Sequence, residues 1–368
     1  EFNGIFSLAQ YDSNNKELLL ARDRLGVKPL YYLETEKYFA FASEAKVLFD
    51  FMDELLIDTR SFREFFAYGS SMSNRTMVQG VRKLPPGCFL RFDMRTFESE
   101  INSFWSVADI APICKRKTTY PQARKRVASL LTDAVQRQCL SDVPVGAYLS
   151  GGLDSSMIVA LAATHGHTPL KTFSVQFEGS SNSELPLARK VAKRYGTEHH
   201  EMEISPRDFV GDLADLIFQY DEPFADPAAL PLHLMAARCS PMAKVILQGD
   251  GGDALFAGYG RHLDMSQPRR RLLAFAALAL THPNKASRLS FRSRFEGLAS
   301  WPLSRRLGRL SGRPGFGLLG SILKGEFRAE VETADPLTSF HQAASVVSER
   351  DPVSQVLLAD MMTILPNT

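Results

Sequence analysis

Val145-Gly146-Ala147-Tyr148-Leu149-Ser150-Gly151-Gly152-Leu153-Asp154-Ser155-Ser156 is the stretch that decides how this chain reads. An apolar run ends, two glycines follow, and an apolar helical pattern continues from Met157 to Thr164. Glycines let a backbone approach an anion closely and adopt positive φ. The first turn of a helix presents N–H groups without intrahelical acceptors and the positive end of the helix dipole. Ser150, Ser155 and Ser156 add hydroxyl donors. The segment is therefore expected to cradle phosphate. No lysine follows the glycines, so this is not the G-x-x-x-x-G-K-[ST] loop. Asp154 would repel phosphate unless a divalent cation lay between them, and Mg²⁺ is the usual bridging ion. An ordinary turn with an N-capping Asp or Ser is the simpler reading. It leaves the two glycines and three serines unexplained.

Outward from this loop, strands and helices alternate. Tyr120 to Leu140 carries Val127, Leu130, Leu131, Ala134 and Val135 at a helical period. A strand is expected over Val143 to Leu149, another over Leu170 to Phe177, a helix over Leu185 to Tyr195 and a strand over His199 to Ile204. A helix over Phe209 to Tyr220 and a strand over Ala243 to Leu247 complete the series. Such alternation predicts a parallel, doubly wound sheet. Before about Lys115 the pattern differs. Short apolar runs at Gly4 to Ala9, Glu17 to Ala21, Leu30 to Leu33, Tyr38 to Ala42 and Cys88 to Phe92 are separated by turn residues, including Leu84-Pro85-Pro86-Gly87. One short helical patch, Ser61 to Tyr68, interrupts them. The expected fold class is α/β: an antiparallel, β-rich domain over 1–115, then a doubly wound parallel-sheet domain with helical additions over 116–368.

A second glycine loop follows the strand at Ala243 to Leu247: Gln248-Gly249-Asp250-Gly251-Gly252-Asp253-Ala254-Leu255-Phe256-Ala257-Gly258-Tyr259. Open α/β sheets bind ligands beyond the carboxyl ends of their strands. If both strands are parallel, Asp154 and Asp253 are in a position to share Mg²⁺, or a pair of ions, over a pyrophosphate. Gly249, Gly251 and Ala254 also fit a loose dinucleotide fingerprint, but two aspartates beside a bare diphosphate argue against it. A third stretch, Tyr220-Asp221-Glu222-Pro223-Phe224-Ala225-Asp226-Pro227, is acidic and stiffened by two prolines. It reads as either an exposed turn or a wall of the substrate pocket.

Bulk properties exclude several classes. The 368 residues are 45% hydrophobic and 23% charged with net charge +2, a globular composition that selects no partner by charge. Cys88, Cys114, Cys139 and Cys239 lie far apart, with no C-x-x-C spacing, which suits a reducing, cytoplasmic setting. The apolar run Leu272 to Leu280 is about half the ~18 residues of a membrane span and reads as a buried helix. Residues 268–313 are rich in arginine but lack a stacking aromatic motif, so a solvated helical insertion is expected rather than a nucleic-acid module. Both termini read as interrupted, as in a piece of a longer chain.

The Ser150-to-Ser156 loop resembles the pyrophosphatase loop of N-type ATP pyrophosphatases, and the Gln248-to-Tyr259 loop narrows the resemblance to the asparagine synthetase family. Ala21-Arg22-Asp23-Arg24-Leu25-Gly26-Val27-Lys28-Pro29-Leu30-Tyr31-Tyr32, Ala42-Ser43-Glu44-Ala45-Lys46 and Lys83-Leu84-Pro85-Pro86-Gly87 are similar to the later part of that family's glutaminase (Ntn-type) domain. The resemblance implies activation of aspartate by MgATP as β-aspartyl-AMP, release of pyrophosphate, and displacement of AMP by ammonia drawn from glutamine. It implies that Ser150, Gly151, Gly152, Asp154 and Ser155 hold pyrophosphate. Tyr148 and Val175 line the adenine site, Gln248 and Gly249 contact nucleotide, Asp250 serves adenylate formation, and Asp154 and Asp253 serve the metal. ATP, Mg²⁺, aspartate and glutamine or ammonia are the expected small molecules. Nucleic acid and membrane are not expected, and the resemblance allows a homodimer. Three departures stand out. The family's N-terminal Cys nucleophile is not among these residues, whose first cysteine is Cys88. Ala254 stands where Glu is common, and the family's later synthetase helices are not in the sequence. Close relatives acting in capsule and exopolysaccharide pathways leave the acceptor carboxylate open. A different ligase on the same loop, or a nucleotide-binding remnant, are the other readings.

Overall fold

Residues 2–72, 74–109, 118–165, 169–179, 184–205, 208–262, 302–312 and 322–367 are described by the computed structural model. They form two units, each with its own core. The first comprises 1–111, 220–226 and 253–368; the second comprises 112–219 and 227–252.

In the first unit the strands are β1 (Ser7–Asp12), β2 (Glu17–Arg22), β3 (Tyr31–Glu34), β4 (Phe39–Ala42), β5 (Val81–Lys83), β6 (Cys88–Asp93) and β7 (Glu98–Ser103). They make two antiparallel sheets, ordered β1-β2-β6-β7 and β4-β3-β5. Alternation along β2 and β6 turns Leu20, Leu90 and Phe92 inward, where they meet Leu30, Tyr32 and Leu84. Phe39 of the second sheet stacks on Phe92 of the first with ring centroids 4.4 Å apart. Each large side chain so buried contributes roughly 1.5–3 kcal/mol. β7, Glu-Ser-Glu-Ile-Asn-Ser, is too polar to be seen by alternation; it is an edge strand held by backbone pairing to β6.

Two helices interrupt the strands: α1 (Lys46–Phe49) and α2 (Thr59–Tyr68). Asp58 caps α2 by accepting from the Ser61 N–H at 2.9 Å, so the helix starts earlier than the apolar patch suggests. Tyr68 and Met72 enter a second core with Leu307, Phe340, Ala343, Val347, Val356 and Ala359. These come from helices Leu303–Ser311, Thr338–Val347 and Pro352–Thr363. The first of them falls within the basic stretch expected to be solvated. Its described residues correct that expectation in part, because Ser304 and Leu307 are buried. Spacing at i and i+3 collects these on one face and leaves Arg305 outside. The remainder of 268–313, including the helix expected over Leu272 to Leu280, lies outside the described residues.

The second unit is the alternating region. Helix α3 (Tyr120–Gln138) opens with a capping box between Thr119 and Gln122. Strand β8 (Val145–Tyr148), helix α4 (Leu153–His165), strand β9 (Lys171–Phe177), helix α5 (Leu185–Tyr195), strand β10 (Glu198–Ile204) and helix α6 (Asp208–Tyr220) follow. Helix α7 (Ala229–Cys239) and strand β11 (Val245–Leu247) end the series. All three pairings are parallel, in the order β10-β9-β8-β11. Helices α3, α4 and α5 contribute Val135, Val159, Ala162, Ala188 and Ala192 to a core with Ala147, Leu149 and Leu247. Helix α7 adds Leu234, Met235 and Cys239 to clusters with Phe173 and Ile204. The sequence reading missed α7 because Pro231 looks like a breaker. Pro is tolerated in the first helical turn, where the N–H has no acceptor anyway.

Candidate nucleotide site at the switch point of the parallel sheet

The order β10-β9-β8-β11 runs outward from β8 in both directions. Strands β9 and β10 follow on one side and β11 lies on the other. The winding therefore reverses between β8 and β11, and the crevice beyond their carboxyl ends is where such sheets take ligands. Both glycine loops leave these two strands.

The first loop is tied down by its own side chains. The Leu149 N–H donates to the Phe173 carbonyl at 2.8 Å, and the buried Ser174 hydroxyl donates to the Leu149 carbonyl. The Ser150 and Ser155 hydroxyls lie 2.9 Å apart, and Ser150 Oγ accepts from the Gly152 N–H at 3.2 Å. Ser155 Oγ also donates to the Gly152 carbonyl at 3.3 Å, so Ser150 Oγ is the donor in that pair and both protons are engaged within the loop. The two serines thus shape the loop. Gly151 has φ +87°, and a Cβ there would sit 2.8 Å from the Ala188 N of α5, so both backbone conformation and packing demand glycine. Helix α4 then begins at Leu153 with Asp154 in its first turn. Its opening N–H groups have no intrahelical acceptors and lie at the positive helix end.

The second loop presses on the first. A Cβ at Gly249 would lie 2.9 Å from Asp154 Cβ and 2.9 Å from the Ser155 N. A Cβ at Gly252 would lie 2.8 Å from Asp154 Cγ and Oδ2. Ser150, Gly151, Gly152, Asp154, Ser155, Gln248, Gly249 and Asp250 therefore share one end of the sheet. Gln248, Asp250 and Asp154 are exposed, and Ser155 is buried. Asp253 follows Gly252 in the chain, is grouped with the first unit, and crowds Gly258 there. Among the described residues, no group of three or more His, Cys, Asp or Glu side chains is gathered as a protein-only metal cage would be.

Tyr148 and Val175 both pack against the cluster of Ile204, Leu234 and Met235. They thus share an apolar wall beneath the loops. Burial pushes the Tyr148 phenol up to about 12, so it stays neutral. Burial also pushes the Cys239 thiol up to about 11, which leaves it a packing residue rather than a nucleophile.

The acidic third stretch is not an exposed turn. It is grouped with the first unit, where its carboxylates serve as clamps. Asp221 accepts from the Ala45 N–H at 2.6 Å and from Lys46 Nζ at 2.8 Å. Glu222 accepts from the Met77 N–H at 2.6 Å and pairs with Lys83 Nζ at 2.7 Å. Ala45, Lys46 and Lys83 belong to motifs quoted above only for their resemblance, so the structure supplies a physical use for them. Arg22 and Asp23 likewise build a loop. Arg22 donates to the carbonyls of Lys28 at 2.7 Å, Leu84 at 2.8 Å and Gly26 at 2.5 Å. Asp23 accepts from the N–H groups of Leu25, Val27 and Lys28. Sequence reasoning missed Ser174 and Ala188 because each acts across strand or helix neighbours.

A family model described as asparagine synthase matches residues 126–368, and one described as a glutamine amidotransferase domain matches residues 1–105. The chain is 34% identical over 259 residues to Asparagine synthetase (glutamine-hydrolyzing) 1 of Bacillus subtilis, covering 70% of this chain and 40% of that protein. It is 33% identical over 273 residues to Asparagine synthetase (glutamine-hydrolyzing) 3 of the same organism, covering 70% of this chain and 44% of that protein. The chain thus spans less than half the length of these curated relatives.

Proposed function

The chain belongs to the asparagine synthase family, and from that membership we propose that it carries the nucleotide-using site of a glutamine-dependent, amide-forming ligase. In this reading the side-chain carboxylate of aspartate attacks the α-phosphorus of ATP. The α–β phosphoanhydride bond breaks and pyrophosphate leaves. Ammonia then adds at the acyl carbon of β-aspartyl-AMP, the bond to AMP breaks, and one proton is lost from nitrogen. The observation that carries the reading is the pair of glycine loops pressed together at the switch point.

Each residue has a role that its chemistry suits. The first-turn N–H groups of α4, with Ser150, Gly151, Gly152 and Ser155, receive the departing pyrophosphate with fixed donors. Tyr148 and Val175 offer an apolar wall to adenine, while Gln248 and Gly249 approach the nucleotide. Asp250 is the carboxylate available for proton handling during adenylate formation. Glycine at 252 keeps open the space before the Asp154 carboxylate that a Cβ would fill, which suits a cation held jointly by protein and phosphate oxygens. Asp154 would hold Mg²⁺, which supplies charge neutralisation to the leaving phosphates. The region before about residue 115 serves nitrogen delivery from glutamine in this scheme, and 116–368 serves synthesis. A cytoplasmic setting and a homodimer belong to the same proposal. Among the described residues no helix is long and apolar enough to cross a membrane.

The test is pyrophosphate release by the intact protein given aspartate, ATP, Mg²⁺ and ammonia. Release is expected, and its absence with every carboxylate offered would overturn the reading. Calorimetry of MgATP binding to wild type and Asp154→Ala examines the metal role, which equal affinities would remove. One observation favours a second reading. Ala254 is 4% exposed, so a buried methyl stands where the family commonly has Glu. A weakened nucleotide-binding homologue, or an amidotransferase for another carboxylate, would bind MgATP yet show no ammonia-dependent turnover with aspartate.

A further inference from the structure

Within the first unit lies a cavity of about 410 Å³, lined by no residue of either glycine loop. That volume falls within the roughly 300–1,000 Å³ of small-molecule sites. Arg22, Arg60, Arg75 and Lys83 line it, and no Asp or Glu does. Three of these cations have carboxylate partners that do not line the cavity. Arg75 pairs with Asp58 at 2.7 Å, Lys83 with Glu222 at 2.7 Å, and Arg60 with Glu64 at 3.4 Å. Arg22 is buried and bonded to three carbonyls, which are neutral. Burial lowers its pKa, yet an arginine remains protonated near neutrality. The wall therefore carries positive charge beyond what these partners neutralise.

Two further groups point into the same space. Ser339 also lines the cavity and is 8% exposed; among the described residues its hydroxyl has no hydrogen-bond partner. It sits in the first turn of helix Thr338–Val347, whose preceding residue, Leu337, makes no side-chain cap. The positive end of that helix adds to the arginines. Among the described residues, Arg60 is engaged only through Nε, which leaves the two terminal nitrogens of its guanidinium fork for a planar oxyanion.

We propose that this cavity binds a small metabolite bearing a carboxylate or phosphate group, with the Arg60 fork and the Ser339 hydroxyl as its recognising donors. The site is separate from the nucleotide loops and is a place for a regulatory or auxiliary anion. Phosphate and citrate serve as probes for the two sources of such a group. Equilibrium dialysis of the intact protein at fixed ionic strength, with chloride as the balancing ion, reads binding of each. Saturable binding of at least one probe is expected. Arg60→Gln should weaken it about tenfold, the loss of one charge-assisted contact. Gln342→Glu, at an exposed position on the cavity rim, should weaken it similarly by repulsion. Lys125→Gln, at an exposed position of α3 in the second unit, should leave it unchanged. Preference for phosphate assigns a phosphate ester, and preference for citrate assigns a polycarboxylate. No saturable binding of either probe up to about 10 mM, or binding indifferent to both cavity variants, would overturn the proposal.

Discussion

Gly249→Ala tests the contact on which the candidate site depends. The new Cβ would stand 2.9 Å from Asp154 Cβ, about 0.6–1.1 Å inside the ~3.5–4.0 Å at which carbons rest against one another. It would stand equally close to the Ser155 N, which is backbone and has no rotamer to escape into. Nor can the strands part easily. Val245, Ile246 and Leu247 of β11 are paired with Val145, Gly146 and Ala147 of β8. A Cβ at Gly146 would itself meet Phe173 at 2.8 Å, which shows how tightly this sheet is packed. Overpacking of this kind costs roughly 1–3 kcal/mol. Urea unfolding followed by circular dichroism should show a lower midpoint at unchanged slope. Calorimetry should show weaker MgATP binding, because relief of the clash moves Asp154 and the first-turn N–H groups. Gly252→Ala is the matched control. Its Cβ would meet the end of the Asp154 carboxylate, which can rotate away. Stability should change by less than about 1 kcal/mol while MgATP binding still falls. If Gly249→Ala unfolds at the wild-type midpoint and binds MgATP normally, the two loops do not press together as described.

Three other substitutions probe the scaffold. Arg22→Lys keeps the charge but loses the planar fork that reaches three carbonyls, and should destabilise the first unit by about 2–4 kcal/mol in urea unfolding. Asp58→Ala removes both the α2 cap and the Arg75 partner, with an expected loss of about 1–3 kcal/mol; Asp58→Asn should recover the capping part. His199 is half-buried, and the loss of water around its ring lowers its pKa below the ordinary imidazole value. The unfolded chain therefore binds a proton that the folded chain resists. Stability should be fully present above the unfolded value of about 6.5 and fall as pH drops through it. His199→Gln should flatten that limb of the stability–pH profile, and an unchanged limb would remove His199 from it.

Much of the second unit was legible because its period changes with its structure. Strands β8 and β11 read as short apolar runs, and the helices between the strands repeat at 3.6 residues. The loops were legible because glycines, hydroxyls and carboxylates at strand ends have few other uses together. Elements lacking such a signal were missed. β7 is polar on both faces, and α7 carries a proline in its first turn. The acidic stretch after Tyr220 shows the limit most clearly. Its aspartate and proline content suited a turn, yet Asp221 and Glu222 bind residues more than a hundred positions earlier.

By itself the sequence determined the alternation of strand and helix and the two glycine loops at strand ends, because these depend on local period and residue chemistry. Only the tertiary structure decided that β11 lies beside β8 rather than beyond β10. That order cannot be read along the chain, since either position would satisfy the same apolar run. It alone brings Gly249 and Gly252 against Asp154, turning two separate loops into one site.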